Sequence, residues 1–419
     1  MESAVDISLL DRARATFARA RTDFPILQTE RNGKPLVFFD SAASAQKPIQ
    51  VLDAEREFLT TGYANIHRGV YHLSDSATSA YEAARETIAK FLGASDSNSV
   101  IFTRGATEAV NLVAQSFGKL HLKAGDAILL SELEHHANIV PWQLLAEERG
   151  LRILRIPVTD AGEWELSGLS EQLDDGVAMV AVSHVSNALG TINPVEAVIA
   201  AARERGVPVL LDGAQAVPHG MKSCVETLDC DFYVFSSHKI FGPTGVGVLY
   251  AKAEHLERMP PYQGGGDMID KVSFDGTTFA KAPARFEAGT PHISGAIGLA
   301  TAIQYVFAFD PEEMHVFEDA LRVRLEAGLK EIPGLRIYGE AEKKVSVTSF
   351  LIDGVHPHDM ATFLDAENIC IRAGHHCCQP LMTRYAIVGT ARASLAFYNT
   401  EEEVDRFVAA VAKIQKFFG

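Results

Sequence analysis

The segments VLLDGAQ (209–215) and FYVFSSHK (232–239) decide the reading of this chain. Each is an unbroken apolar run that ends on chemistry: Asp212 after the first, Ser236, His238 and Lys239 after the second. Apolar runs without alternation read as strands of a parallel sheet covered on both faces. Outward from this pair, short apolar and β-branched runs recur at 100–103, 127–131, 152–157 and 179–183, alternating with helix-like segments at 108–117, 140–149 and 194–205. That rhythm predicts an α/β domain, a mainly parallel central sheet wrapped by helices. Residues 264–268 (GGGDM) and 286–292 (FEAGTPH) are rich in turn formers and predict an exposed loop or hairpin suited to touching a partner. Helical patterns at 294–309 and 311–332, strands at 345–352, 369–373 and 391–394, and a closing helix at 401–418 predict a smaller α+β domain. The expected division is a large domain, 37–300, and a small one built from 1–36 plus 301–419.

Composition bounds the function. With 419 residues and 47% apolar content the chain can bury a sizeable core. Its 38 basic and 54 acidic residues give 38 − 54 = −16. That balance argues against nucleic acid, whose capture depends on Lys and Arg. No window reaches the roughly 18 consecutive apolar residues of a spanning helix, and the N-terminus mixes Asp6 and Asp11 with Arg12 and Arg14. The expectation is a cytoplasmic protein without membrane or signal segment. The cysteines are Cys224, Cys230, Cys370, Cys377 and Cys378, an odd number in a long chain, which predicts free thiols.

In an open α/β sheet, ligands gather at the carboxyl ends of the strands. A lysine there can form a Schiff base with an aldehyde cofactor, and an aspartate can hold a pyridinium nitrogen protonated. Taken singly, Asp212 reads equally well as a turn cap and Lys239 as a solvated loop residue. Gly105-Ala-Thr-Glu-Ala109 follows the run at 100–103 and opens a helix, a geometry that suits a phosphate and is also ordinary capping. Ser236 and His238 could complete such a phosphate site. Glu134-His-His-Ala-Asn138 follows another run, so an imidazole should reach the same rim to stack on a ring and move protons. Two adjacent histidines there, and Arg372-Ala-Gly-His-His-Cys-Cys378 later, invite a metal. The spacing matches no zinc pattern, and the expectation is no metal.

These segments resemble a known family. Phe39-Asp-Ser-Ala-Ala43, Asn65-Ile-His-Arg-Gly69, Glu134 to Asn138, Ser186-Asn-Ala-Leu-Gly190, Asp212 to Gln215, Ser236 to Lys239, Arg372 to Cys377 and Arg392-Ala-Ser-Leu395 stand in the order found in cysteine desulfurases. These are fold-type-I enzymes of the class V aminotransferase group that depend on pyridoxal 5'-phosphate. The likeness points to the type II branch, which serves the SUF pathway and includes selenocysteine lyases. The resemblance implies that Lys239 carries the cofactor, Asp212 pairs with its ring nitrogen and Gln215 bonds its hydroxyl. It implies further that His135 stacks on the ring and transfers protons, and that Ala106, Thr107, Ser236 and His238 hold the phosphate. Thr290 would reach the phosphate of a neighbouring subunit, making a homodimer. Arg392 and Asn187 would grip the substrate carboxylate, with His67 and Arg372 as further contacts. Cys377 would take sulfur from L-cysteine as a persulfide, leaving L-alanine, and pass it to a SUF-type acceptor protein for iron–sulfur cluster assembly. Selenocysteine would be a second substrate. One departure stands out: the residue after the nucleophile, commonly Ala in this branch, is Cys378. Either it competes for or relays sulfur, or packing tolerates it. Two other readings use the same residues: another enzyme of this fold, such as an aminotransferase or a kynureninase-like hydrolase, and a catalytically silent scaffold.

Overall fold

The computed structural model describes residues 7–221 and 224–418, so the first six residues of the expected small-domain segment 1–36 lie outside it. Seven strands form the main sheet: β1 Val100–Thr103, β2 Ala127–Ser131, β3 Arg152–Ile156, β4 Val177–Ser183, β5 Val209–Asp212, β6 Phe232–Ser236 and β7 Gly247–Ala251. Their order is β1-β7-β6-β5-β4-β2-β3. Neighbours from β6 to β3 are parallel, while β7 runs antiparallel to both β6 and β1. The carboxyl ends of β1, β2, β4, β5 and β6 therefore share one rim.

The continuous apolar runs follow from this placement. Within β5 and β6, Leu211, Tyr233 and Phe235 belong to one apolar core while Leu210, Phe232 and Val234 belong to another, so every residue of a strand has a hydrophobic face to fill. Edge strand β3 reads RILRI and is largely exposed, its Arg152 and Arg155 discouraging a further strand from pairing there.

Among the helices are α1 Ile7–Ala20, α2 His72–Leu92, α3 Ala106–Val113, α4 Val140–Arg149, α5 Val195–Arg203, α6 Ile293–Phe307, α7 Pro311–Lys330, α8 Gln379–Arg384 and α9 Glu401–Phe418, with further helices at Ile49–Glu57 and Pro357–Ala366. An exposed hairpin, β8 Ile269–Ser273 with β9 Gly276–Phe279, projects Phe274 into solvent. A four-stranded antiparallel sheet follows: β10 Leu335–Tyr338, β11 Val347–Ile352, β12 Arg372–Gly374 and β13 Thr390–Ser394, ordered β10-β11-β13-β12. Helices α1 and α9 flank α7 beside it, and Phe17 stacks on Phe317 with ring centroids 5.2 Å apart. Among the described residues no single helix is long and apolar enough to cross a membrane.

Two expected strands differ from what forms. The run 369–373 splits: Ile369–Cys370 pairs in parallel with Val37–Phe38, and the chain then leaves that partner to enter β12. β11 begins at Val347 because the Val345 N–H donates across to the Gly190 carbonyl, 2.9 Å. Partner choice of this kind has no local periodic signal.

At the rim, β7 starts at Gly247 directly beside Gly105, where an added Cβ would lie 2.4 Å from the Gly105 Cα. No side chain can yield there, because the obstacle is backbone. Gly247→Ala should cost about 1–3 kcal/mol of stability and displace the turn that opens α3. Thermal unfolding with cofactor titration checks it, and an unchanged midpoint together with unchanged cofactor affinity would count against this close approach.

Candidate active site

A cavity of about 430 Å³ opens where the strand rim meets β12 and β13. Twelve of the fourteen residues expected to act line it: Ala106, Thr107, His135, Asn187, Asp212, Gln215, Ser236, His238, Lys239, Arg372, Cys377 and Arg392. They arrive from the ends of five strands of the large sheet and from the small sheet, which explains how residues up to 286 positions apart (392 − 106) converge.

On the large-sheet side, Asp212 ends β5 and is buried, and its Oδ1 accepts from the Ala214 N–H at 2.9 Å. Burial raises its pKa, opposed by the Lys239 charge and by that N–H. Burial lowers the pKa of Lys239 in turn, opposed by Asp212. A buried amine with a depressed pKa is a competent nucleophile toward an aldehyde. Gln215 donates Nε2–H to the Ala42 carbonyl at 2.7 Å, while its buried Oε1 has no partner among the described residues. That oxygen is an acceptor waiting for a hydroxyl. Ser236 Oγ accepts the Ala106 N–H at 2.9 Å, fixing the start of α3, whose positive end faces the cavity beside Thr107 and His238. The cofactor inferred from sequence, pyridoxal phosphate, fits this donor set: amine, ring-nitrogen carboxylate, hydroxyl acceptor and phosphate cradle lie in one cavity.

His135 follows β2 and accepts the Ala137 N–H through Nδ1 at 3.0 Å. Burial, with Lys239, His136 and Arg392 nearby, pushes its pKa down to about 3, so the ring is neutral at pH 7. The same strand end carries Glu134, fully buried, whose carboxylate accepts from Ser131 Oγ at 2.5 Å, Asn138 Nδ2 at 2.8 Å and the Ser183 N–H at 3.0 Å. Glu134 thus ties β2 to β4 and sets the direction of His135. Its own pKa rises to about 7 through burial.

Opposite lies the sulfur-bearing segment. His376 and Cys377 have φ of 52° and 56°, two successive non-glycine residues in the left-handed region. Such backbone costs about 1–3 kcal/mol per residue and persists because bonds on all sides hold it. The His136 N–H donates to the Cys377 carbonyl at 2.7 Å, and Asn187 Nδ2 donates to the His376 carbonyl at 2.7 Å. Thr390 Oγ1 lies 2.8 Å from His376 Nε2. The donor atoms of His136, His375 and Cys377 lie within 4.8 Å of one another. Yet His136 Nε2 accepts the Gln379 N–H and His375 Nδ1 accepts the Cys377 N–H, so one ring nitrogen of each imidazole already braces the segment. A cation there would have to break that bracing.

Arg392 is fully buried: Nη1 donates to the Asn187 carbonyl at 2.7 Å, Nη2 to Asp40 Oδ1 at 3.3 Å, and Nε has no partner among the described residues. Arg372 grips the same Asp40 from the other side at 3.1 and 2.9 Å. Asp40 therefore holds both arginines at the cavity, a role that its quoted motif, FDSAA, leaves silent. Cys378 faces away, fully buried, its pKa pushed up to about 12 by burial.

His67 and Thr290 lie elsewhere. Both are exposed; His67 Nε2 meets Glu82 Oε1 at 3.1 Å, and it lines a separate cavity of about 260 Å³ with Gly289 and Pro291. That loop is anchored by Glu287, whose carboxylate receives Arg85 at 2.6 Å, Tyr81 Oη at 3.0 Å and the Phe102 N–H at 2.7 Å.

Comparison with known proteins agrees with this geometry. The family model described as aminotransferase class-V matches residues 37–407. A cysteine desulfurase of Dickeya dadantii is 49% identical over 402 residues, covering 96% of this chain and 97% of that protein. One of Serratia proteamaculans is 48% identical over 402 residues, covering 96% and 98%. Among solved structures, the apo cysteine desulfurase of Thermococcus onnurineus superposes with a TM-score of 0.90 at 39% identity, covering 95% of this chain and 98% of that one. The cysteine desulfurase CsdA of Escherichia coli, in an S-sulfonic acid form, gives 0.89 at 38% identity, covering 96% and 99%.

Proposed function

We propose, from the premise that this chain belongs to the class V aminotransferase family and works as a pyridoxal-phosphate-dependent cysteine desulfurase, that Cys377 is the residue that takes sulfur from L-cysteine, releasing L-alanine. The observation that carries this reading is a cysteine held in strained, fully braced backbone on the wall opposite Lys239 in one cavity. Transamination and hydrolysis on this fold have no use for a thiol there.

Bound in the cavity, the cofactor supplies an electron-withdrawing ring that acidifies the substrate Cα–H and makes the Cβ–S bond breakable. The protein does the rest. Arg392, with its free Nε–H, and Asn187 orient the carboxylate. Lys239 Nζ, whose pKa burial lowers, accepts the Cα proton. The Cys377 thiolate attacks the substrate sulfur; an S–S bond forms, Cβ–S breaks, and the bonding pair stays on carbon. His135, neutral at rest, takes the proton of the substrate thiol and delivers it to Cβ, while Lys239 returns the other to Cα, giving alanine and a Cys377 persulfide.

The finer reading is a type II enzyme that serves the SUF pathway in the cytoplasm. It hands sulfur to an acceptor protein for iron–sulfur cluster assembly and accepts selenocysteine as well. Its support is the short ordered passage from Arg372 to Arg392, which contains α8 and leaves Cys377 no long arm with which to reach a scaffold. The five cysteines are all free thiols. A homodimer accords with the position of His67 and Thr290 outside the cavity of their own chain, and with the exposed Val70, Tyr71 and Leu73 that follow His67 in the sequence. They would complete the site of a second copy.

The test is a spectrum of the purified holoenzyme before and after L-cysteine, with alanine and the mass of the Cys377 peptide measured together. A shifted band, alanine, and one extra sulfur on that peptide are expected. Pyruvate, or a product that needs a keto acid, would leave the fold and overturn the reaction.

A further inference from the structure

Besides the carboxylate role that the resemblance implies for it, the Asn187 side chain is engaged with the cysteine segment. Nδ2 donates to the His376 carbonyl at 2.7 Å, and Oδ1 accepts from Cys378 Sγ at 3.0 Å. The orientation of the amide is not arbitrary, because a flip would set Oδ1 against the carbonyl oxygen of His376. Oδ1 must therefore face Cys378, and the thiol must donate. On its main-chain side the same residue accepts Arg392 Nη1 at 2.7 Å. One buried residue thus touches the carboxylate arginine and the left-handed pair His376–Cys377 together. Residue 378 is also where this sequence departs from the alanine common in the branch it resembles.

We propose that Asn187 and Cys378 form a positioning pair that sets the resting place of Cys377 relative to the carboxylate-binding Arg392, with the Cys378 thiol locking the amide. The proposal rests on Cys377 being the sulfur acceptor. Cys378 does not relay sulfur: its thiol is buried and already engaged. With alanine at 378, Oδ1 would be buried without a donor, the amide would leave its place more readily, and the strained segment would sample open positions. The second hydrogen on Nδ2 lets the amide hold His376 and still meet a carboxylate, so substrate binding would tighten the same clamp.

The experiment compares Cys378→Ala and Cys378→Ser in the holoenzyme. The rate of Cys377 alkylation by iodoacetamide, read from the peptide mass without substrate, is measured beside kcat and KM for alanine formation. Alanine at 378 should speed alkylation of Cys377 about fivefold and lower kcat by a similar factor, the scale of one hydrogen bond, with KM within about twofold. Serine, which restores a donor, should return both rates toward the parent protein. Unchanged alkylation in Cys378→Ala, or a serine variant no better than alanine, overturns the pair. Should either variant fold poorly, Asn187→Ala gives the second measurement: it removes both bonds and must speed alkylation more than Cys378→Ala does, and a slower rate overturns the proposal. Alkylated Cys377 that still makes alanine would instead sink the sulfur-acceptor reading, an outcome distinct from any of these.

Discussion

Lys239→Ala should give a folded protein without the absorbance band of lysine-bound cofactor, and alanine formation from L-cysteine should fall by at least about a thousandfold. Two functions leave together. The amine that anchors the aldehyde is lost, so cofactor retention rests on Asp212, Gln215 and the phosphate cradle alone. The base for the Cα proton is lost as well, and the neighbouring His135, with its pKa held near 3, is too weak a base to replace it. Folding should survive because Lys239 closes a short turn after β6 whose backbone bonds, such as Ile240 N–H to the Ser237 carbonyl at 3.0 Å, do not use the side chain. Removing the Lys239 charge leaves Asp212 buried without its cation and raises its pKa further, which weakens its hold on a protonated ring nitrogen. The variant should therefore lose cofactor on dialysis that the parent retains. A visible spectrum and turnover unaltered by the substitution would sink both the cofactor site and the role of the lysine.

The legible part of this protein was the part written in local pattern. β5 and β6 announce themselves because both faces of each strand are covered, so apolar residues run without interruption into Asp212 and Ser236. The rule that ligands sit at strand carboxyl ends puts Asp212, Lys239, one imidazole of 135–136 and the segment Gly105 to Ala109 at one rim, and the resemblance singles out His135 and Thr107 among them. What stayed hidden depends on which distant elements meet. Asp40 is one carboxylate in a loop until β13 and β12 bring Arg392 and Arg372 to its two sides. Glu134 reads as a charged residue in a His-rich turn, yet it is a fully buried brace between β2 and β4. The split of 369–373 and the double engagement of Asn187 are choices of partner across some 190 to 330 residues, and no periodicity encodes them. His67 and Thr290 were named from resemblance, and the fold puts them away from the cavity of their own chain.

Cys377→Ala separates binding from chemistry. The cofactor contacts do not involve residue 377, so the variant should keep its resting spectrum and still respond to L-cysteine. Persulfide should vanish, and alanine formation should fall by about a thousandfold or more, because the Cβ–S bond then lacks its nucleophile. The obvious rescuer is the adjacent thiol, and the structure argues against it. Cys378 is fully buried, its pKa is pushed up to about 12, and its Sγ is engaged with Asn187. At pH 7 a thiol of that pKa is thiolate in only about one molecule in 10⁵. It also faces the core, while the left-handed backbone at 376 and 377 turns Cys377 toward the cavity. A shift of the segment large enough to present Cys378 would break the bonds from His136, Asn187 and Gln379 at once. Peptide mass spectrometry after incubation with L-cysteine decides the matter. No added sulfur at residue 378 together with lost turnover is the expected result. A persulfide on Cys378 with retained alanine production would mean that the bracing yields, and would move the sulfur-carrying role one residue along the chain.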